Sequence, residues 1–349
     1  MSTNAGTTKA ASRLSENDLR QCLRLACGGT LGLFICKLMG WDYGSFFCVY
    51  PMLLLGLTPV INAHVIRQFL LQAVVVSLEV LVIYGLFGDR PLLVVPLVFI
   101  AFFWRFRLMA QGPLFMFGAL GSVFLSIQLH FGSYPETHLF DMLTSNLVAA
   151  VQTVLIAWLM FYLFPDAEPR PPRQPQFKDL PSQRHEALLG ASIATLSFIL
   201  FQSLDLKDSL SAQVASILVL FPMHWNGIRF AGRIRALGTL LGCAVGLLLQ
   251  LVLYSHYDVL PLVTLMYWTA AFCCARVHVL EHAQGIGFGA LTTLAIVFGQ
   301  YLTPQHDVVY SIAYRLSSVC VAVFCTLVAV FVLHRLFNRW PSIRHASHA

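Results

Sequence analysis

Residues 165–186 read PDAEPRPPRQPQFKDLPSQRHE, a polar, proline-rich stretch in a chain that is otherwise mostly apolar. On both sides of this stretch, one hydrophobic window of about 20 residues follows another. Of the 349 residues, 58% are hydrophobic and only 11% are charged. Because a bilayer core about 30 Å thick needs roughly 20 apolar residues per helix, the pattern predicts an integral membrane protein made of α-helices.

The polar stretch divides the hydrophobic windows into two sets of six. The predicted spans are 20–39, 46–58, 65–87, 92–106, 112–131, 142–164, 186–204, 211–223, 234–254, 259–275, 284–301 and 311–337. The second span of each set is short, which favours a helix that tilts little, breaks in the membrane, or is surrounded by other helices. The predicted organisation is a cytoplasmic tail, a first repeat, a cytoplasmic linker, a second repeat and a cytoplasmic tail, at 1–19, 20–164, 165–185, 186–337 and 338–349.

Short sequence landmarks recur in the two sets of spans. The pairs are Gln111-Gly112 with Gln284-Gly285, Ile66-Arg67 with Ile234-Arg235, and Leu163-Phe164 with Leu336-Phe337. Since six is an even number of spans, both halves have the same topology and are related by an axis along the membrane normal. The sequence therefore predicts an all-α polytopic membrane protein of about twelve transmembrane helices, arranged as two parallel six-helix repeats with pseudo-two-fold symmetry. Substrate is expected to bind between the halves.

Basic residues orient the chain in the membrane. With a cytoplasmic N-terminus, 18 of the 22 Lys and Arg residues fall on the inner side, and the outer loops contain only Lys37, Arg90 and Lys207. This distribution follows the positive-inside rule and accounts for the net charge of +6 without a nucleic-acid partner. Arg20 and Arg24 open the first span and no small-residue cleavage site follows it, which indicates a retained helix. The predicted location is the bacterial inner membrane, with both termini in the cytoplasm.

Four charged residues are the candidates for a substrate or proton pathway. Glu79 lies in the apolar run 73–84, about 21 Å of helix rise from the cytoplasmic end of its span. A carboxyl group there is costly unless it carries a proton, contacts substrate, or forms a structural pair, for which Arg315 is the candidate partner. Arg67 and Arg235 start equivalent spans. They either form a positively charged entrance on the cytoplasmic side that attracts organic anions, or only reflect the positive-inside rule.

The sequence predicts no enzymatic activity, no cofactor and no metal site. It contains none of the usual hydrolase, phosphate-loop or dinucleotide motifs in a suitable context. His278 and His282 flank Glu281 in what the sequence suggests is a short inner loop, but no third metal ligand is evident. The nine cysteines fall within or beside spans, where they are expected to be packing residues.

Three segments carry a family resemblance. They are 23–32 (LRLACGGTLG), 51–56 (PMLLLG) and 235–242 (RALGTLLG), and the last matches an R-x-x-G-T-x-x-G pattern. With these segments the chain resembles the superfamily of fusaric acid resistance proteins and aromatic acid exporters, in particular its compact bacterial inner-membrane members. It is more distantly similar to plant aluminium-activated malate channels. The first half departs from the motif at 67–72 (RQFLLQ), and the linker is far shorter than the cytoplasmic domain of other members.

The resemblance implies efflux of aromatic or other organic acids and related toxic compounds, working with a periplasmic membrane-fusion adaptor. The aromatic content, with 27 Phe, 11 Tyr and 6 Trp, suits an aromatic or amphipathic acid. We expect proton-coupled export. The alternatives are an organic-anion channel and a non-transporting membrane subunit that docks an adaptor. The sequence leaves the oligomeric state open, a homo-oligomer included.

Overall fold

The computed structural model describes residues 14–170, 178–253, 256, 258–281, 285–301, 308–340 and 343, and within these residues all regular structure is helical. The α-helices are α1 (Glu16–Met39), α2 (Gly44–Leu57), α3 (Ala63–Phe87), α4 (Pro91–Gln111), α5 (Phe115–Gly132), α6 (Leu139–Leu163), α7 (Leu180–Ser203), α8 (Leu210–Val219), α9 (Trp225–Val252), α10 (Leu260–Leu280), α11 (Ile286–Tyr301) and α12 (Val308–Phe337). A single 3-10 turn, Lys207–Ser209, precedes α8.

Nine of the described helices are long and apolar enough to cross a bilayer, namely α1, α3, α4, α5, α6, α7, α9, α10 and α12. Large apolar side chains remain exposed along their outer faces, as Leu71, Leu78 and Leu86 do on α3. In water such a surface would be unstable, whereas lipid solvates it. The protein is therefore a multi-pass helical membrane protein.

The short helices α2 and α8 lie inside the bundle. Every residue from Ser45 to Gly56 of α2 and from Leu210 to Val219 of α8 is buried. Of the alternatives that the sequence left open for these segments, the structure therefore shows the helix surrounded by other helices. A helix without a lipid-facing side does not need to match the thickness of the bilayer.

The helices pack both within and between the two halves of the chain. In the first half, α3 packs on α5 and α6, and α2 packs on α6. In the second half, α9 packs on α11 and α12, and α8 packs on α12. The main contacts between the halves are α4 with α7, α1 with α10, α2 with α11, and α5 with α8.

Glycines bring α1 close to α2. A Cβ atom on Gly29 would collide with the Met52 side chain, and one on Gly32 would collide with the Phe47 carbonyl oxygen. Small residues allow this approach because no side chain separates the two backbones. The first half is thus tightly packed on the side where α1, α2 and α6 meet.

Several helices extend beyond the predicted spans. The helix α4 continues to Gln111, and α9 begins at Trp225, nine residues before the predicted start of its span. The added turns contain Arg107, Arg229 and Arg233, which a hydropathy window excludes although the helix continues. Residues 180–185 of the predicted linker likewise form the start of α7. The other parts of the predicted tails and linker at 1–13, 171–177, 341–342 and 344–349 lie outside the described residues.

The start of the linker is fastened to α1. Nη2 of Arg24 lies 2.6 Å from Oδ1 of Asp166, and only 2% of the Arg24 side chain is exposed. Nη1 of Arg170 donates to Oε1 of Gln21 over 2.6 Å. These bonds hold the end of α6 against the first turns of α1.

Candidate functional site

Glu79 forms an ion pair with Arg105. Nη2 of Arg105 on α4 lies 2.6 Å from Oε2 of Glu79 on α3, and the Glu79 side chain is 27% exposed while that of Arg105 is fully buried. Nη1 of Arg105 also donates to the carbonyl oxygen of Ala101 over 3.0 Å. The expectation that Arg315 would be the partner of Glu79 is therefore wrong.

Arg105 reaches Glu79 because α5 leaves room for its side chain. A Cβ atom on Gly121 would lie 2.9 Å from Nε of Arg105, and one on Gly118 would meet the Arg105 carbonyl oxygen. Only glycine at these two places allows the guanidinium group to lie between α3, α4 and α5. Hydropathy placed Arg105 at the inner end of a span, but α4 continues for another six residues and keeps this side chain inside the bundle.

Glu79, one member of the ion pair, lies on α3 at the periphery of the first half. The main neighbours of α3 are α4, α5 and α6, all from the same half. Leu78, which precedes Glu79, is 57% exposed on the outer face of α3. Glu79 is thus away from the principal contacts between the halves, although its partner Arg105 lies on α4, which packs on α7 of the second half.

Arg315 belongs to a different polar cluster, in the second half. Its Nη1 donates to Oγ of Ser211 over 2.5 Å, and Oγ of Ser318 donates to the Arg315 carbonyl oxygen over 3.0 Å. The Arg315 side chain is almost completely buried, at 2% exposure. The bond to Ser211 joins α12 to α8.

Arg67 and Arg235 have different environments, although their sequence positions are equivalent. Arg67 is exposed at the start of α3. Arg235 is buried and donates from Nη1 to Oγ1 of Thr292 on α11 over 2.7 Å. The four residues that the sequence singled out thus lie at separate places and do not form one site.

A cavity of about 360 Å³ lies between α7, α8 and α12, and the sequence gave no sign of it. Apolar side chains dominate its wall, and hydroxyl groups are the main polar feature. The hydroxyl-bearing residues of the wall are Ser197, Ser209, Ser216, Tyr314, Ser317, Ser318 and Thr326. Arg315 and Ser211 lie beside these residues in sequence, and their hydrogen bond joins two of the three helices that form the cavity.

Two features of the cavity wall matter for its chemistry. Oγ of Ser197 is buried and has no hydrogen-bond partner among the described residues. At the other end of the wall, Oγ of Ser209 and the Tyr314 hydroxyl lie 2.9 Å apart. Small-molecule sites commonly combine a mostly apolar wall with a few placed polar groups, and this cavity has that character.

Helix α5 carries buried polar groups, and one of them reaches the second half. On α5, Nε2 of His130 lies 2.9 Å from the Lys207 carbonyl oxygen. The Gln128 amide, also on α5, is fully buried and neither of its polar atoms has a partner among the described residues. Polar groups without partners are costly to bury in a helix bundle.

His278 does not lie in a loop, contrary to the sequence interpretation. It is buried in the last turn of α10, and its Nε2 lies 3.3 Å from the Gly56 carbonyl oxygen. His282 lies outside the described residues. Across the part of the chain that the structure describes, no three His, Cys, Asp or Glu side chains come together as a metal site would require.

The second half of the chain matches a known family. Residues 194–329 match the family described as fusaric acid resistance protein-like. This part of the chain is thus similar to the members of that family. It includes all of the residues that line the cavity except Ile193.

Residues 21–160 match a second family model, described as protein of unknown function (DUF2955). Comparisons with curated proteins and with solved structures give no match. The predicted resemblance to fusaric acid resistance proteins is confirmed, and that family consists of membrane transporters. The cavity thus lies in the part of the chain that the transporter family defines.

Proposed function

We propose that this protein exports aromatic or other organic acids across the bacterial inner membrane. The observation that carries the proposal is the cavity between α7, α8 and α12, which lies in the segment that matches the fusaric acid resistance family. Its volume of about 360 Å³ is that of a small-molecule site. The buried Arg315 follows Tyr314 of the cavity wall in sequence and donates to Ser211, so a cationic side chain is fixed beside the cavity.

We infer that the chain is built of two six-helix repeats related by a two-fold axis near the membrane normal. The pattern of helix contacts supports this arrangement. If α1 to α6 correspond in order to α7 to α12, then α4–α7 corresponds to α10–α1, and α2–α11 corresponds to α8–α5. The contacts α3–α6 and α2–α6 correspond in the same way to α9–α12 and α8–α12. The two family matches, at 21–160 and 194–329, each fall within one proposed repeat.

We propose the Glu79–Arg105 pair as the proton-coupling element. Proton transfer to the Glu79 carboxylate removes its charge and leaves the buried Arg105 cation without its counter-ion. Two protonation states with different helix contacts provide the bistable element that coupling requires.

Arg67 and Arg235 have separate roles in this proposal. The exposed Arg67, at the inner end of α3, collects anions before they enter the protein. Arg235 is held by Thr292 and joins α9 to α11, so it contributes mainly to packing. Replacement of Arg67 by Gln is therefore expected to weaken substrate capture without lowering stability.

Export by proteoliposomes tests the function. Purified protein is reconstituted with radiolabelled benzoic acid inside, and efflux is followed with and without an inward proton gradient. Efflux that depends on the gradient supports the proposal. Efflux that is independent of the gradient and electrogenic indicates an anion channel, and absence of flux together with a stable complex with a periplasmic adaptor indicates a docking subunit.

The proposed orientation has its own test. Glu168 is exposed at the start of the linker, whereas Ser182 is 4% exposed and unsuitable for labelling. The thiol that a Glu168→Cys substitution introduces into a protein without its native cysteines should react with a membrane-impermeant maleimide only after the cells are opened. Rapid reaction in intact cells contradicts a cytoplasmic linker.

A further inference from the structure

We propose that the cavity between α7, α8 and α12 binds amphipathic carboxylic acids that enter sideways from the outer half of the bilayer, between α7 and α12. The inference that the polar head group of the ligand is a carboxylate rests on the proposed function. The location of the site and its lateral opening rest on the structure, and the assignment of the opening to the outer half rests on the proposed orientation.

The cavity exists because the two halves fill equivalent space differently. Ser15 and Asp179 are the N-caps of α1 and α7 and lie 164 residues apart, which pairs Gly29 of α1 with Ile193 of α7. Gly29 allows α1 to lie directly on α2 at Met52. Ile193, which lines the cavity, prevents the same approach of α7 to α8.

The residues of α8 and α12 that face α7 are too small to fill the space between the three helices. The same offset pairs Met52 of α2 with Ser216 of α8, and the repeated Leu-Phe at the ends of α6 and α12 pairs Ile156 with Ala329. Met52 and Ile156 are buried in the first half, whereas Ser216 and Ala329 line the cavity. A bulky residue that separates the helices is thus combined with two small residues that leave the gap open.

The cavity is open towards lipid. Leu200 of α7, Leu204 directly after α7 and Val321 of α12 line it, and they are 43%, 64% and 61% exposed on the outer face of the protein. In the proposed orientation the outer end of α7 is Ser203 and the outer end of α12 is Val308. The cavity residues of α7 and the lipid-exposed Val321 therefore lie in the outer half of their helices, while the cavity continues along α12 to Ala329, beyond the midpoint of that helix.

The wall matches a molecule with an apolar body and one hydrogen-bonding head. Leu196, Leu200 and Val321 provide contacts for an aryl or short alkyl group. The buried hydroxyl of Ser197 lacks a partner among the described residues and is available to donate to a carboxylate oxygen. The Ser209 and Tyr314 hydroxyls provide a second hydrogen-bonding point at the outer end.

Photolabelling in nanodiscs tests this assignment. The probe is a benzoic acid that carries a para-trifluoromethyl-diazirine group, and the labelled residues are located by mass spectrometry. We expect labelling within 193–204 and 314–329, and loss of labelling when excess para-butylbenzoic acid is present. The double variant Ser216→Met/Ala329→Ile introduces the side chains found at the equivalent positions of the first half, and it should lose the labelling. The control Val332→Ile, on the lipid-facing side of α12, should retain it.

Three results overturn the inference. In the first, labelling is concentrated at the contact between α5 and α8. In the second, excess para-butylbenzoic acid does not reduce the labelling. In the third, a well-folded double variant is labelled as strongly as the unchanged protein. The second result indicates that lipid chains or nonspecific partitioning explain the signal. Efflux measurements separate this inference from the proposed function, because efflux without cavity labelling overturns the site alone, and cavity labelling without efflux overturns the transport function alone.

Discussion

Nη2 of Arg105 lies 2.6 Å from Oε2 of Glu79, and this ion pair joins α3 to α4 within the first half of the protein. Arg105 is fully buried, whereas Glu79 is partly exposed. The two partners are therefore not equivalent. Loss of Glu79 leaves a fully buried cation without its counter-ion, while loss of Arg105 leaves a partly exposed carboxyl group that a proton can neutralise.

The first prediction concerns this pair. Glu79→Gln should lower the free energy of unfolding by about 3 kcal/mol, because removal of one partner leaves a buried charge. Arg105→Gln should lower the free energy of unfolding by less than Glu79→Gln does. The double variant should be more stable than the sum of the two single effects predicts, by a coupling energy of about 1–3 kcal/mol. Denaturant-induced unfolding of the purified protein measures these values. Additive effects in the double variant contradict the pairing.

The same variants test proton coupling. If Glu79 carries the proton, folded Glu79→Gln protein should lose pH-driven efflux but retain exchange of labelled for unlabelled substrate. This outcome follows because an amide cannot take up a proton in this pH range while the rest of the transporter is unchanged. Full pH-driven efflux by folded Glu79→Gln protein removes Glu79 from the mechanism.

The second prediction concerns the contact between α9 and α11. A Cβ atom on Gly238 would lie 2.6 Å from the Ile286 carbonyl oxygen and 2.8 Å from Cα of Gly289, so Gly238→Ala should push the helices apart and lower the thermal midpoint. Gly246 is on the same helix, but its nearest neighbour would be 3.7 Å away. Gly246→Ala should be neutral or stabilising by up to about 1 kcal/mol, because alanine favours the helix. Equal effects of the two substitutions contradict the close approach.

The third prediction concerns the attachment of the linker to α1. Asp166→Asn removes the carboxylate that faces the nearly buried Arg24, and it should lower the free energy of unfolding by about 1–3 kcal/mol. Glu168→Gln is the matched control, since Glu168 is exposed on the same segment. It should stay within about 0.5 kcal/mol of the unchanged protein. A larger effect for Glu168→Gln than for Asp166→Asn is the contrary outcome.

The fourth prediction compares equivalent positions of the two halves. Ile156→Ala should cost about 2–5 kcal/mol, because Ile156 is 3% exposed and its removal opens a void beside Gly28. Ala329→Ile adds the same side chain where a cavity already exists, so it should leave the thermal midpoint unchanged or raise it. A substantial loss of stability in Ala329→Ile shows that the cavity has no room for the side chain.

The sequence by itself determined the class of the protein and most of its helices. Apolar windows long enough to cross a bilayer are a local property of the sequence, so the predicted spans agree closely with the observed helices. The first predicted span, 20–39, corresponds to the helix Glu16–Met39, and the last, 311–337, corresponds to Val308–Phe337. The R-x-x-G-T-x-x-G motif at 235–242 similarly identified the family, because its glycines are needed where α9 meets α11.

Only the tertiary structure decided which charges meet and where the cavity lies. Arg105 and Glu79 are 26 residues apart, and their contact depends on the space that Gly121 of α5 leaves for the guanidinium group. The cavity depends on Ile193, Ser216 and Ala329, three residues from different helices, none of which is unusual in its own segment. Hydropathy reports how well each residue suits lipid, but the volume left between helices depends on which side chains face one another after packing.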